Sequence, residues 1–248
     1  MTDREMGRSP PLDPRIPTMR ILAIETAGRT GSVALAEDAN ILLELELEQS
    51  SRSAQSLAPA VRKVLRQGGW QPADVQLVGV TIGPGSFTGL RIGVTTAKLF
   101  AYAVGADVLG INTLEAIAAA APTETVTLWA VMDAQRGEVV AGRFVRDPAD
   151  GWVKPQGPQE LLLLDTWLGR LAPGDRVAGP ILSKILGRLP GGVAALEPSA
   201  WSPRASQVAR LAARDYAAGR RDDLWRLVPA YVRPSAAEEK RQASRSTS

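Results

Sequence analysis

The chain has 248 residues, of which 45% are hydrophobic and 22% are charged, and its formal net charge is +3. This composition is typical of a globular chain with one or two domains. The chain contains neither histidine nor cysteine, which excludes a histidine- or thiolate-ligated zinc site, a Ser-His-Asp triad and a disulfide. No apolar run approaches the ~20 residues that cross a bilayer, so we expect a cytosolic protein outside the membrane.

Composition also divides the chain into segments. Residues 1–18 are rich in proline and charge, and we expect a disordered leader there. Residues 235–248 are polar and predict a disordered tail. Between them we expect an N-terminal subdomain over residues 19–112 and a smaller C-terminal subdomain over residues 113–234.

Three strands are predicted at the start of the fold. Residues 20–25 and 32–36 flank a turn-rich segment and predict a β-hairpin. Residues 41–48 alternate leucine with glutamate, the period of two that is typical of a strand with one buried face.

A helix and a strand are predicted next. The period becomes helical from Ser53 or Ser56 up to Gln67. The apolar face of this helix contains Leu57, Val61, Val64 and Leu65. Residues 75–82 are apolar and rich in β-branched side chains, which predicts a buried strand.

The motif Gly-Pro-Gly-Ser-Phe-Thr-Gly, residues 83–89, joins that strand to a helix predicted over residues 90–104. Ser86 or Thr88 is expected to cap the helix. The motif lacks the Gly-Lys-Ser/Thr ending of a phosphate-binding P-loop. Small residues recur every four positions and form one ridge along the helix: Gly89, Gly93, Ala97, Ala101 and Gly105. The ridge indicates either packing against another helix of this chain or docking of a second subunit.

The elements that follow the helix predicted at residues 90–104 suggest that the order of the first elements, a hairpin followed by alternating helices and strands, is repeated. A strand over residues 107–111 and a helix over residues 113–121 are followed by a second hairpin, with strands at residues 125–132 and 138–145. Hairpin-linked strands followed by strands that alternate with helices are typical of a ribonuclease-H-like sheet. Two such units in tandem predict the α/β fold of the actin, hexokinase and heat-shock ATPase superfamily.

The C-terminal third is less regular. We predict a loop at residues 152–158, a helix at 161–171, a strand at 176–178, a helix at 206–218 and an extended segment at 227–234. Ser206 is the expected cap of the last helix.

Five segments resemble one known family: residues 21–26, 31–35, 83–93, 133–139 and 229–233. In this order they resemble the TsaB family, also called YeaZ, over residues 19–234. The resemblance implies a non-catalytic subunit of the bacterial machinery that installs threonylcarbamoyl on the adenosine beside the tRNA anticodon. It implies docking to the catalytic subunit TsaD, cooperation with the ATPase TsaE, and homodimers. One departure is the absence of a histidine before the first helix.

The same resemblance implies a partner interface on the first two helices and no catalytic, cofactor-binding or metal-binding residues. On this chain the interface comprises Leu57, Val61, Val64, Gly85, Ser86, Phe87, Thr88, Gly89, Arg91, Gly93, Ala97 and Ala101.

Two alternatives stay open. A kinase-like ATPase would use Glu25, Gly28 and Gly31 of the first hairpin together with Asp133 of the second. In the second hairpin, Asp133, Arg136 and Glu138 either form a tight turn or contact the partner subunit or tRNA.

Overall fold

A computed structural model describes residues 18–48 and 53–232. The predicted leader, except for Thr18, and the predicted tail lie outside the described residues. The strands are β1 (Arg20–Glu25), β2 (Ser32–Glu37), β3 (Asn40–Glu46), β4 (Leu77–Gly83), β5 (Asp107–Asn112), β6 (Thr127–Asp133), β7 (Glu138–Arg146), β8 (Val153–Pro155), β9 (Glu160–Leu163), β10 (Arg176–Ala178) and β11 (Ala194–Ala195). The helices are α1 (Ser53–Gln67), α2 (Phe87–Val104), α3 (Thr113–Ala119), α4 (Leu164–Leu168), α5 (Leu182–Ile185) and α6 (Ala205–Ala217).

The first sheet has the strand order β3-β2-β1-β4-β5. Strands β1, β2 and β3 are antiparallel neighbours, whereas β4 and β5 run parallel to β1. Side chains alternate along β1, so Leu22 and Ile24 pack with α1 and α2 while Ile21 and Ala23 pack with α6. The sheet is therefore covered on both faces.

The second sheet repeats this topology. Strand β7 lies antiparallel to β6 and pairs on its other side with β8 and β9, while β10 and β11 continue in parallel from β6. Strands β4 and β10 hold equivalent places, and a Gly-Pro pair stands at the end of each: Gly83 ends β4, and Gly179 directly follows β10. The two glycines, Gly83 and Gly179, have φ values of 130° and 151°, a region that L side chains rarely adopt. The predicted tandem ribonuclease-H-like fold is confirmed.

Helix α6 crosses between the two predicted subdomains, whose boundaries stay a prediction. It follows the second sheet in the chain but packs on the first sheet, where Val208 and Leu211 are fully buried. Residues 113–232 therefore do not pack only among themselves, since α6 completes the core beside the first sheet.

Two predictions in the C-terminal third are wrong. Residues 153–155 form β8 rather than a loop, and residues 161–163 belong to β9 rather than to a helix. In β9, Leu161 packs in one core cluster and Leu162 in another, because neighbouring side chains of a strand point to opposite faces. The helix is limited to the five residues of α4.

The predicted cap of α6 is also wrong. The helix begins at Ala205, and its first N–H groups are satisfied by distant residues: Ser32 Oγ accepts from Ala205 N at 2.8 Å, and Glu44 Oε1 accepts from Ser206 N at 3.1 Å. In α2, by contrast, Ser86 Oγ accepts from Gly89 N at 3.1 Å, as the local sequence predicts.

Candidate functional site

The small-residue ridge of α2 faces this chain's own first hairpin. A Cβ added at Gly89 would lie 2.0 Å from the carbonyl oxygen of Thr26, and one added at Gly93 would lie 2.1 Å from Thr26 Oγ1. Both glycines are buried. The ridge thus admits the backbone just after β1, which was neither of the two packing partners expected.

Ala97 and Ala101 of the ridge and the apolar face of α1 are buried as well, whereas Gly105 at the end of the ridge is exposed. Ala97, Ala101, Leu57 and Val64 are at most 1% exposed and belong to the core cluster beneath both helices. Within this chain the segment after β1 covers the two glycines and the core covers the other residues, and their direct contact with a partner stays a prediction. Val61 is 6% exposed and lies on the floor of the surface described next.

An open apolar groove lies between the outer sides of α1 and α2, with a volume of about 650 Å³. We call it the α1–α2 groove. Leu99 is 65% exposed on the wall of the groove, next to the apolar lining, so it extends the apolar surface of the groove toward solvent. The groove is lined by Ala58, Val61, Arg62, Leu65, Arg66, Trp70, Gln71, Pro72, Thr96, Leu99 and Phe100.

A C-terminal strap, residues 222–232, runs beside α2 and widens this apolar surface. Lys98 Nζ donates to the carbonyl oxygens of Trp225 at 3.1 Å and Leu227 at 3.0 Å. Leu227 is buried in the core, whereas Trp225 is 71% exposed and contacts Tyr102, with ring centroids 5.4 Å apart. The strap therefore presents aromatic surface next to the exposed side of α2.

The N-terminal turn of α2 carries a stacked cluster. Arg91 Cζ lies 3.9 Å from the ring centroid of Phe87, and its Nε donates to Tyr231 Oη at 2.8 Å. The rings of Phe87 and Tyr231 are 4.7 Å apart. Gly85, Ser86 and Thr88 beside them are exposed, so this end of the predicted interface is accessible.

Glu25 ends β1 and is completely buried. Its Oε1 accepts from Ala27 N at 2.6 Å and from Gly28 N at 2.9 Å, while Oε2 has no hydrogen-bond partner among the described residues. Burial raises the pKa of Glu25 to about 8, and the charge of Glu44 adds to the rise, although the two N–H donors oppose it. Glu25 is therefore largely protonated at neutral pH.

The first hairpin does not fit a magnesium nucleotide. Its N–H donors at Ala27 and Gly28 are used by Glu25, and Pro203 packs where a side chain on Gly28 would begin, at 3.4 Å. Arg204 Nε donates to Glu44 at 3.1 Å and fixes the covering segment. A completely buried carboxyl whose neighbouring N–H groups are already engaged leaves no open position for a phosphate-bound cation.

The second predicted cluster lies on the turn between β6 and β7. Asp133 accepts from Gln135 N at 2.8 Å and from Lys184 Nζ at 2.6 Å. Partial burial opposes the effect, but these hydrogen bonds lower the pKa of Asp133 overall. Arg136 lies in the same turn and Glu138 begins β7, so both lie at the second sheet and outside the α1–α2 groove.

The sequence patterns did not indicate the exposed apolar residues of this surface, which are chiefly Leu99, Tyr102 and Trp225. A usable signal was present in α2: Leu99 follows the ridge residue Ala97 by two positions, or about 200° around the helix axis. A large apolar residue opposite a buried ridge indicates a second apolar face. The contribution of Trp225 depends on the path of the strap and has no local signal.

The fold and the surface together define a class of protein: two ribonuclease-H-like units in tandem, with the first hairpin closed by its own carboxyl group and an apolar groove open on the helices. A family model described as TsaD, tRNA N6-adenosine threonylcarbamoyltransferase, matches residues 46–150, which include α1 and α2. Among the described residues, no helix combines the length and apolar character needed to span a membrane.

Comparison with known proteins identifies the family within this class. The chain is 30% identical to the tRNA threonylcarbamoyladenosine biosynthesis protein TsaB of Bacillus subtilis, over 90% of this chain and 97% of that protein. It is 35% identical to TsaB of Escherichia coli over 54% and 58% of the two chains. YeaZ from Pseudomonas aeruginosa matches with a TM-score of 0.74 and 27% identity, over 86% of this chain and 100% of YeaZ. The chain belongs to the TsaB family.

Proposed function

We propose that this chain is a non-catalytic subunit of the cytosolic machinery that forms threonylcarbamoyladenosine beside the tRNA anticodon. It docks to a TsaD-type catalytic subunit through the α1–α2 groove and acts with the ATPase TsaE. The observation that carries this proposal is the groove of about 650 Å³ with Leu99 65% exposed on its wall. An apolar surface of this kind marks an interaction site.

The likeness to TsaD over residues 46–150 supports the choice of partner. This span contains α1 and α2, so the catalytic subunit is expected to carry a related pair of helices. Two related helix pairs can meet around a pseudo-twofold axis, as the identical surfaces of a symmetric dimer do. A homodimer of this chain would use the same surface and would therefore compete with the TsaD complex.

In this arrangement the buried ridge has an indirect role. Gly89 and Gly93 let α2 lie against Thr26, which sets the position of the helix. The exposed residues Gly85, Ser86, Phe87, Thr88 and Arg91 extend the contact beyond the groove. Asp133, Arg136 and Glu138 remain proposed contacts to the partner or to tRNA, outside the groove.

Replacement of Leu99 tests the proposal. We expect Leu99→Asp to weaken binding to the TsaD protein of the same genome at least tenfold by titration calorimetry, because it places a charge in the apolar contact. Leu186→Asp is the matched control, since Leu186 is 52% exposed and lies outside the groove. Unchanged affinity of a folded Leu99→Asp variant would rule out the groove as the docking site.

The kinase-like alternative makes a different prediction. The closed hairpin around Glu25 weighs against it, since the carboxyl is buried and its neighbouring N–H groups are occupied. Magnesium-dependent ATP hydrolysis by the purified chain alone, abolished by Glu25→Ala, would favour that alternative over the docking subunit.

A further inference from the structure

Every charged residue of the two helices that form the α1–α2 groove is basic. Helix α1 contributes Arg62, Lys63 and Arg66, and α2 contributes Arg91 and Lys98. Neither helix contains an aspartate or a glutamate. The whole chain has a net charge of only +3, whereas these two helices together carry five basic residues and no acidic one.

Arg62 and Arg66 are the cations that border the apolar lining, and we call these two residues the rim of the groove. Both are exposed, and neither forms an ion pair with a carboxylate of the described residues. The carboxylate nearest to the lining in sequence, Asp74, pairs with Arg20 at 3.4 Å, and Arg20 in turn stacks on Trp70 at 5.2 Å. Among the residues that the structure describes, these two cations therefore have no carboxylate counter-charge.

We propose that this rim makes the groove selective: it accepts a partner surface with an apolar centre and an acidic border, and it disfavours a second copy of this chain. This inference rests on the proposed function and adds the charge of the partner's surface to it. In a symmetric pair of identical chains, the basic rims of both copies would be brought together at one contact. Like charges at an interface oppose association, whereas complementary charges select the partner and speed the encounter.

The selectivity is electrostatic and therefore depends on salt. Exposed charges are screened beyond about 8 Å at physiological ionic strength. Binding to the acidic partner should weaken as salt rises, whereas self-association should strengthen because the repulsion between rims is screened. This opposite response distinguishes charge selection from a purely apolar contact.

The first experiment reverses the rim charges. We expect Arg62→Glu/Arg66→Glu to bind the TsaD protein of the same genome about tenfold more weakly at low salt, with a smaller or inverted salt dependence. The control is Arg176→Glu/Arg210→Glu, which makes the same change in net charge at exposed residues of β10 and α6. Wild-type affinity and salt dependence in the rim variant would overturn the inference.

The second experiment measures self-association by analytical ultracentrifugation. A mixture of the wild-type chain with the Arg62→Glu/Arg66→Glu variant should associate more strongly than the wild-type chain alone, because each rim then meets the opposite charge. Equal association of the mixture and the wild type would overturn the inference.

Leu99→Asp separates this inference from the proposed function. If Leu99→Asp weakens TsaD binding and the rim variant does not, only the charge selectivity is wrong. If neither change weakens binding, the groove is not the docking site and both proposals fail.

Discussion

The carbonyl oxygen of Thr26 lies in the space that a side chain at Gly89 would occupy, 2.0 Å from the position of an added Cβ. This contact seats the start of α2 on the backbone that follows β1. It is reinforced one residue along, where Ser86 N donates to the carbonyl oxygen of Ala27 at 2.9 Å.

The first prediction concerns Gly89→Ala. In a helix interior alanine is favoured over glycine by about 1 kcal/mol, but the clash with backbone at Thr26 forces α2 away from the hairpin. We expect a net decrease of about 2–3 kcal/mol in the free energy of unfolding, measured by urea denaturation. Gly187→Ala is the control, since a Cβ there meets no atom within 4 Å. A stabilised Gly89→Ala variant would show that the approach is not tight.

The second prediction concerns pH. The folded chain keeps the proton of Glu25 up to a pKa of about 8, whereas the ordinary value is 4.5. The stability contributed by neutral Glu25 is therefore fully present below pH 4.5 and is lost as pH rises through 8. The loss is about 5 kcal/mol for this shift.

Glu25→Gln should remove this pH dependence. Glutamine has the shape of the neutral acid, its Oε1 can accept from Ala27 N and Gly28 N, and it does not ionise. We expect the free energy of unfolding of the variant to stay nearly level between pH 5 and 8, where the wild type declines. Glu197→Gln, at an exposed site, should retain the wild-type decline. An identical decline in Glu25→Gln would assign the pH dependence to other groups.

The third prediction concerns the strap. Lys98→Met keeps most of the apolar stem but removes the donor to the carbonyl oxygens of Trp225 and Leu227. We expect a loss of about 1–2 kcal/mol in stability and faster amide hydrogen exchange over residues 222–231, with little change in β1 and β4. Lys63→Met, at an exposed site of α1, is the matched control. Unchanged exchange in the strap would show that Leu227 alone anchors it.

The sequence by itself determined the elements whose signals are local. The period of two in β3, the strand–loop–helix joint around residues 83–89 and the cap by Ser86 depend on neighbours within a few residues, so they were predictable. The order of strands and helices was also sufficient for the ribonuclease-H-like topology, because short right-handed connections leave few arrangements. The four-residue spacing of Gly89 and Gly93 correctly indicated a close approach to the helix.

Only the tertiary structure decided what makes that approach and which surface stays open. Thr26 fills the ridge, Ser32 caps a helix 173 residues further along the chain, and Pro203 packs against Gly28 beside Glu25. Such contacts depend on where distant segments meet, and no local pattern encodes that meeting. For the same reason the sequence pointed to the small-residue face of α2 as the interface, whereas the fold buries that face and leaves Leu99 exposed.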